Sequence, residues 1–359
     1  MSTTLPWVEK YRPKTVEEVV YQEEVVSVLK KCLSGADFPH LLFYGPPGTG
    51  KTSTILAMAQ EMFGREFVKD RVLELNSSDE RGIDVIRKKV KSFSSIKVPS
   101  KLPDGRRCPP IKIVVLDEAD SMTPAAQSAL RRVIEAGTET TRFCIICNYV
   151  TRIIQPIASR CTKFRFKPLP RDLILGKLKE IASKENMTTE SDDVFEQVIK
   201  VSDGDLRKAV TFLQTVFRIK AEPVTLGDSV VKKAHVTVND VHEVSGFIPS
   251  NIMDIVLKTA KQDLSSVERG VSSLVFNGFS SSQFMLQLHE YILETETLDW
   301  KQKCPLLKKI ASSDACLLDG SSEYLQLLSV ISALYQAFKD PSGKSIKTDY
   351  RVNSYSNGK

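Results

Sequence analysis

Along the first third of the chain, short apolar runs alternate with longer segments whose apolar positions recur every three or four residues. His40-Leu41-Leu42-Phe43-Tyr44 is largely apolar, as a buried parallel strand would be. Thr52 to Phe63 then carries Ile55, Leu56, Met58, Ala59 and Met62 in a helix-forming context. Val72-Leu73-Glu74-Leu75 predicts a second strand, closed by the turn Asn76-Ser77-Ser78-Asp79. Ile83, Ile86, Val90 and Phe93 predict a helix over 83–93, with Arg87, Lys88, Lys89 and Lys91 on its other faces. Ile111 to Leu116 is a third buried strand, and 124–135 a helix with Ala125, Ala129 and Val133 on one side. Arg142 to Cys147 predicts a fourth strand, and Thr162 to Phe166 alternates polar and apolar as a last strand would. Strands alternating with helices in this way predict an α/β domain on a parallel sheet.

After Pro168-Leu169-Pro170 the pattern turns helical. Residues 172–185, 192–202 and 205–218 make three short amphipathic helices, 219–240 a polar connection, and 250–338 a further helical region. Leu274, Phe276, Phe284, Leu286, Leu288, Ile292, Leu325, Leu328, Ile331 and Leu334 are its core candidates. The tail carries Lys344, Lys347, Arg351 and Lys359 among Gly, Ser and Asn, a composition that favours disorder. At the other end, Pro13 restricts Arg12 to extended conformations, so Trp7 to Pro13 reads as an arm, not a helix. It is either a strap over the first domain or a lip over a ligand of the glycine-rich segment Gly45 to Thr52 that it leads into.

The chemistry centres on Gly45 to Thr52, GPPGTGKT, which fits Gly, any four, Gly, Lys, Ser/Thr between a strand and a helix. Gly45, Gly48 and Gly50 allow backbone conformations that bring N–H groups up to phosphate oxygens. Lys51 matches charge on the β- and γ-phosphates, and the Thr52 hydroxyl suits Mg²⁺. The strand 111–116 ends in Asp117 and Glu118, at the edge where open α/β sheets bind ligands. Asp117 would hold Mg²⁺ through water, and Glu118 would orient or deprotonate an attacking water. Asn148, at the end of the fourth strand, is placed to touch the γ-phosphate or that water, or else caps the following turn. Arg207 lies in the first turn of a helix, where the dipole disfavours a cation, so it answers a charge elsewhere.

Composition changes this picture little. At 359 residues the chain exceeds one ordinary core, and 42% hydrophobic with 26% charged residues is a globular balance. No apolar run approaches a membrane span, and the N-terminus has no secretory core. Seven scattered cysteines fit a reduced, intracellular setting. Cys144 and Cys147 lie inside the apolar run 143–147 and read as core packing. A net charge of +6 leans mildly towards polyanions.

GPPGTGKT, VVLDEAD (114–120), ICNY (146–149), SRC (159–161) and GDLRKA (204–209) together resemble the AAA+ clamp-loader ATPases. WVEKYRP (7–13) and LELNSSDERG (73–82) are similar to boxes of the small subunits of eukaryotic replication factor C, the subunit-four type above all. The resemblance runs from about Leu5 to Ala337. It implies an α/β AAA+ ATPase domain on a parallel five-stranded sheet over 1–167 and a three-helix lid over 168–235. An all-α collar for oligomerisation over 236–340 and a disordered basic tail over 341–359 complete the expected organisation.

By position, the resemblance assigns Gly45, Pro46, Pro47, Gly48, Thr49, Gly50, Lys51, Thr52 and Ser53 to the phosphates of ATP, and Val8, Arg12 and Val20 to the adenosine. Asp117 and Glu118 become the Walker B acids, Asn148 the first sensor and Arg207 the second. Arg160 becomes an arginine finger that serves the neighbouring subunit's ATP, which explains an arginine with no local acid partner. Arg87 and Lys91, with Arg152, become DNA phosphate contacts; the rival reading of 87–91 is a solvated helix face. The implied activity is ATP hydrolysis, with Mg²⁺, in a nuclear heteropentamer that opens a sliding clamp and loads it on primer–template DNA. Two alternatives stand beside it. A helicase is favoured by DEAD but not by the phosphate loop, SRC and Arg207, and a scaffold subunit would hold ATP with little turnover.

Overall fold

In the computed structural model the apolar runs of the first third become neighbours in one sheet. The structure describes residues 5–19, 21–64, 66–76, 83–96, 108–137, 140–226 and 229–339. The turn at 77–79, Val20 and the tail 341–359 therefore lie outside the described residues. Contacts divide the chain into two compact units, Met1–Thr237 and Val238–Lys359.

The first unit opens with α1 (Trp7–Lys10), α2 (Glu23–Leu33), β1 (Leu41–Tyr44), α3 (Lys51–Phe63), α4 (Val68–Arg71) and β2 (Val72–Asn76). It continues through α5 (Ile83–Ser95), β3 (Lys112–Asp117), α6 (Pro124–Gly137), β4 (Thr141–Cys147), α7 (Gln155–Ala158) and β5 (Thr162–Arg165). The five strands form one sheet in the order β2-β3-β4-β1-β5, and every neighbouring pair is parallel.

Successive strand residues point to opposite faces, so each strand feeds two cores. Leu41, Phe43, Ile113, Val115, Cys144 and Ile146 face Val25 and Leu29 of α2 and Ile55, Met58 and Phe63 of α3. Leu42, Val114, Leu116, Phe143, Ile145 and Cys147 face Val90 of α5, Leu130 and Ile134 of α6, and Ile157 of α7. Apolar residues on both faces are what a sheet covered twice demands. Each fully buried side chain of this size contributes about 1.5–3 kcal/mol.

Beyond the sheet come α8 (Arg171–Lys184), β6 (Met187–Thr189), α9 (Asp193–Val201), α10 (Leu206–Lys220), β7 (Glu222–Leu226) and β8 (Ser229–Val236). The connection expected over 219–240 is instead an antiparallel β7–β8 hairpin, whose second strand pairs in parallel with β6. Lys232 and Lys233 give the segment a polar average, which masks the β-branched Val224, Thr225, Val230, Val231 and Val236 that suit a strand. The arm also departs from expectation, since 7–10 is a helical turn. Pro13 constrains only Arg12, and α1 ends two residues earlier.

The second unit is α-helical: α11 (Val238–Ser245), α12 (Ser250–Gln262), α13 (Leu264–Phe276), α14 (Ser281–Glu294), α15 (Trp300–Leu318) and α16 (Glu323–Lys339). Val256, Val271, Leu274, Phe284, Leu288, Ile292, Leu327, Ile331 and Leu334 form its core. Phe276, Leu286 and Leu325 do not join it; they are exposed, Phe276 at 92%. Phe276 closes α13 two residues past the buried Leu274, on a different side of the helix.

Candidate active site

Parallel register brings the ends of β1, β3 and β4 to one edge. Tyr44 pairs with Cys147 and Leu116 with Ile145, so the phosphate loop, Asp117 and Asn148 emerge side by side. The loop needs its glycines for a reason visible at Gly48, where φ is +71° and a Cβ would stand 2.0 Å from Asp205 Oδ1. A side chain there meets both backbone strain and a carboxylate.

Lys51 begins α3 and is only 8% exposed. Its Nζ donates to the Gly45 and Pro46 carbonyls, each at 2.7 Å, and to Asn148 Oδ1 at 3.0 Å. Burial pulls its titration below the usual lysine range, partly countered by Asp117. An anion brought beside the ammonium would favour its charged form.

Thr52 Oγ1 donates to Asp117 Oδ2 at 2.7 Å, and Asp117 Oδ1 accepts from the Glu118 N–H at 2.9 Å. Glu118 turns the chain with a left-handed backbone, φ 52° and ψ 38°, and its side chain is exposed at the cleft. A hydroxyl beside a carboxylate supplies the hard oxygen donors that Mg²⁺ takes, so these residues fit that ion. Asp120 is a residue the sequence reading passed over. Its Oδ2 accepts from the backbone N–H groups of Asn148, at 3.2 Å, and Tyr149, at 3.3 Å, and so fixes where Asn148 stands. Its signal was present, as the third acid of Asp117-Glu118-Ala119-Asp120.

The other wall of the cleft comes from the arm and the helices after the sheet. Val8 and Arg12 line it with Trp7 and Tyr11, opposite Pro47, Gly48, Thr49, Gly50, Lys51, Thr52 and Ser53. Leu173, Ile174, Ile181, Leu206 and Val210 add apolar surface, and Arg207 reaches the same cleft. The lining combines apolar surface with the cations Lys51 and Arg207, the combination a nucleoside phosphate requires. Asp205 caps α10, its Oδ1 accepting from the Arg207 N–H at 2.8 Å, while the Arg207 side chain makes no ion pair with a described residue. Gly45 and Pro46 contribute the carbonyls that hold Lys51.

Long-range contacts fasten the arm. The Tyr11 hydroxyl donates to Glu185 Oε1 at 2.7 Å, Lys10 Nζ reaches the same oxygen at 2.6 Å, and the Trp7 N–H donates to Gln214 Oε1 at 3.1 Å. The Trp7 ring lies 5.1 Å from that of Phe217. Burial, then Glu185, pushes the Tyr11 hydroxyl well above its ordinary titration range. Tyr11 and Glu185 are 174 residues apart, so no local sequence pattern could pair them.

Arg160 lies away from this cleft and corrects one expectation. It has a local acid partner: Nη2 stands 2.7 Å from Glu135 Oε1 on α6, and Nη1 donates to the Pro156 carbonyl at 2.7 Å. Of the expected DNA contacts, Lys91 is exposed on α5, while the Arg87 side chain lies outside the described residues. Arg152 is exposed with its guanidinium 5.2 Å from the Tyr149 ring, and its carbonyl accepts from Gln127 Nε2 at 3.0 Å. Cys144 and Cys147 are buried in β4, and burial raises both thiols, Cys147 to about 12.

A parallel sheet whose carboxyl edge gathers a phosphate loop, paired acids and a helical wall bearing Arg207 is the architecture of an AAA+ ATPase, and the family model "ATPase family associated with various cellular activities" matches residues 41–169. Models for the AAA+ ATPase lid domain of RCF1/5-like proteins and for the replication factor C C-terminal domain match 176–218 and 248–333. Human Replication factor C subunit 4 is 51% identical, over 92% of this chain and 88% of its own length. Replication factor C subunit 2 of Schizosaccharomyces pombe is 46% identical over 92% and 94%, and that of Saccharomyces cerevisiae 45% over 92% and 93%. The chain belongs to the replication factor C family of AAA+ clamp-loader ATPases.

Proposed function

We propose that this chain is one ATP-hydrolysing subunit of a nuclear heteropentamer that opens a sliding clamp and closes it on primer–template DNA in replication and repair. The observation that carries the proposal is the setting of Lys51: a buried ammonium bonded to Asn148, at the first residue of α3, in the cleft that also holds Asp117 and Glu118. The phosphates of ATP lie along Gly45 to Ser53, and the adenosine lies against Val8 and Arg12, with Val20 assigned there by sequence. Thr52, and Asp117 through water, would hold Mg²⁺, which supplies positive charge to the β- and γ-oxygens.

Catalysis then rests on positioning and charge. Glu118 orients the attacking water and accepts its proton, Asn148 fixes that water or the γ-phosphate, and Arg207 approaches the γ-phosphate from the helices after the sheet. Arg160 acts on the ATP of the neighbouring subunit. Residues 1–167 form the ATPase domain, 168–235 the lid and 236–340 the collar that joins subunits. Arg87, Lys91 and Arg152 face DNA phosphates. ATP bridged between subunits favours the tight, clamp-holding state, and hydrolysis stimulated by DNA and clamp releases both.

The test is ATP turnover by the purified complex in which only this site is intact, with and without primed DNA and clamp. Stimulated turnover is expected. Tight ATP binding with no turnover under any condition would make this chain a scaffold subunit, and strand unwinding would make it a helicase.

A further inference from the structure

Glu135 stands four residues after Arg131 on α6, and one of its oxygens, Oε1, meets two guanidinium groups at once. Arg131 Nε donates to it at 3.0 Å, and Arg160 Nη2 lies 2.7 Å away. Arg160 is held from a second direction, because Nη1 donates to the Pro156 carbonyl at 2.7 Å. These two contacts engage both terminal nitrogens and fix the plane of the guanidinium, yet they use only two of the five N–H groups an arginine carries. The Arg160 side chain remains 37% exposed, so the rest of the fork is open to a ligand from outside the chain. The hydrogen bond and charge of Arg131, and after them Arg160, hold the Glu135 carboxyl below the usual range, so it is ionised at neutral pH.

We infer that Glu135 is a positioning residue for Arg160, holding its guanidinium oriented for the nucleotide of the neighbouring subunit. This rests on the reading of Arg160 as a finger acting in trans. A free arginine loses rotamer freedom when it engages a phosphate, whereas one already braced does not lose it at the moment of reaction. Arg131 fixes Glu135 from the same helix, so the three side chains form a network, which an isolated surface pair does not. Glu135 itself touches no nucleotide; it acts through Arg160.

The experiment uses the assembled complex with ATP turnover confined to the neighbouring site, and compares Arg160→Ala, Glu135→Ala, Glu135→Gln and the Glu135→Ala/Arg160→Ala double variant. Glu135→Ala is expected to lower kcat at the neighbouring site by about five-fold or more with KM unchanged. Glu135→Gln, which keeps an accepting oxygen, should recover part of the loss, and the double variant should be no slower than Arg160→Ala alone. Normal turnover in Glu135→Ala beside a slow Arg160→Ala would overturn the inference while leaving the in-trans reading intact. Faster turnover in Glu135→Ala would mean that the acid restrains the finger, and would overturn it as well. A double variant slower than Arg160→Ala would make Glu135 a structural residue instead. An Arg160→Ala complex with an unchanged neighbouring rate would remove both readings together.

Discussion

Thr52 Oγ1 donates to Asp117 Oδ2 over 2.7 Å, joining the first turn of α3 to the last residue of β3 across 65 positions of sequence. The pairing shows that the two residues assigned to Mg²⁺ need no rearrangement to meet. Thr52→Ala should therefore weaken ATP binding in Mg²⁺ by about ten-fold, the scale of losing one oriented partner in a metal site. Binding measured with Mg²⁺ chelated should change little, and Thr52→Ser should behave as wild type. Equal losses with and without Mg²⁺ would detach the hydroxyl from the metal.

Gly48 carries the second expectation. A methyl group at this position stands against the Asp205 carboxylate and requires a left-handed backbone, which costs about 1–2 kcal/mol for a residue with a Cβ. Gly48→Ala should lower the free energy of unfolding by about that amount. It should also impair ATP binding, because relief of the contact moves either the loop or the cap of α10, which carries Arg207. A variant of normal stability and normal ATP affinity would refute the close approach.

The arm offers a test of the apolar lining of the cleft. Tyr11→Phe removes a hydrogen bond to a carboxylate, an interaction worth about 1.5–3 kcal/mol when sheltered, and leaves the ring in place. Amide exchange across Trp7 to Arg12 should accelerate, and ATP affinity should fall with it, since Val8 and Arg12 line the cleft from this segment. Faster exchange with unchanged affinity would leave the arm as a strap only.

For DNA, Arg87→Ala and Lys91→Ala in the assembled complex should each lower the salt slope of binding by about 0.9. The loss should be uniform across DNA sequences, because phosphate contacts carry no base information. Unchanged slopes would return the run 87–91 to a solvated helix face.

The sheet and its edge were legible in the sequence because both rest on local signals. Short, nearly continuous apolar runs marked β1, β3 and β4, and the spacing of Gly45, Gly50, Lys51 and Thr52 marked the loop. Asp117, Glu118 and Asn148 then followed as residues at strand ends, where parallel topology must deliver them. What escaped depends on contacts between distant segments. Tyr11 with Glu185, Arg160 with Glu135 and Asp205 with Gly48 are each formed by tertiary packing, which leaves no spacing to read. The β7–β8 hairpin was missed for a different reason, since charge on Lys232 and Lys233 outweighed the neighbouring valines in the average. Phe276, Leu286 and Leu325 fall outside the second core because hydrophobicity alone does not say which side of a helix faces inward.

Loading of the sliding clamp on primed DNA by the complete complex, with Lys51→Ala in this chain and every other subunit wild type, tests the central claim most directly. Lys51 is the buried ammonium of the phosphate loop, so the variant should assemble normally and yet leave this site without ATP. The expected result is a fall in loading rate of about ten-fold or more, equivalent to about 1.4 kcal/mol or more of lost transition-state stabilisation. An Lys51→Ala complex that keeps ATP at this site and loads the clamp at the wild-type rate would contradict the account.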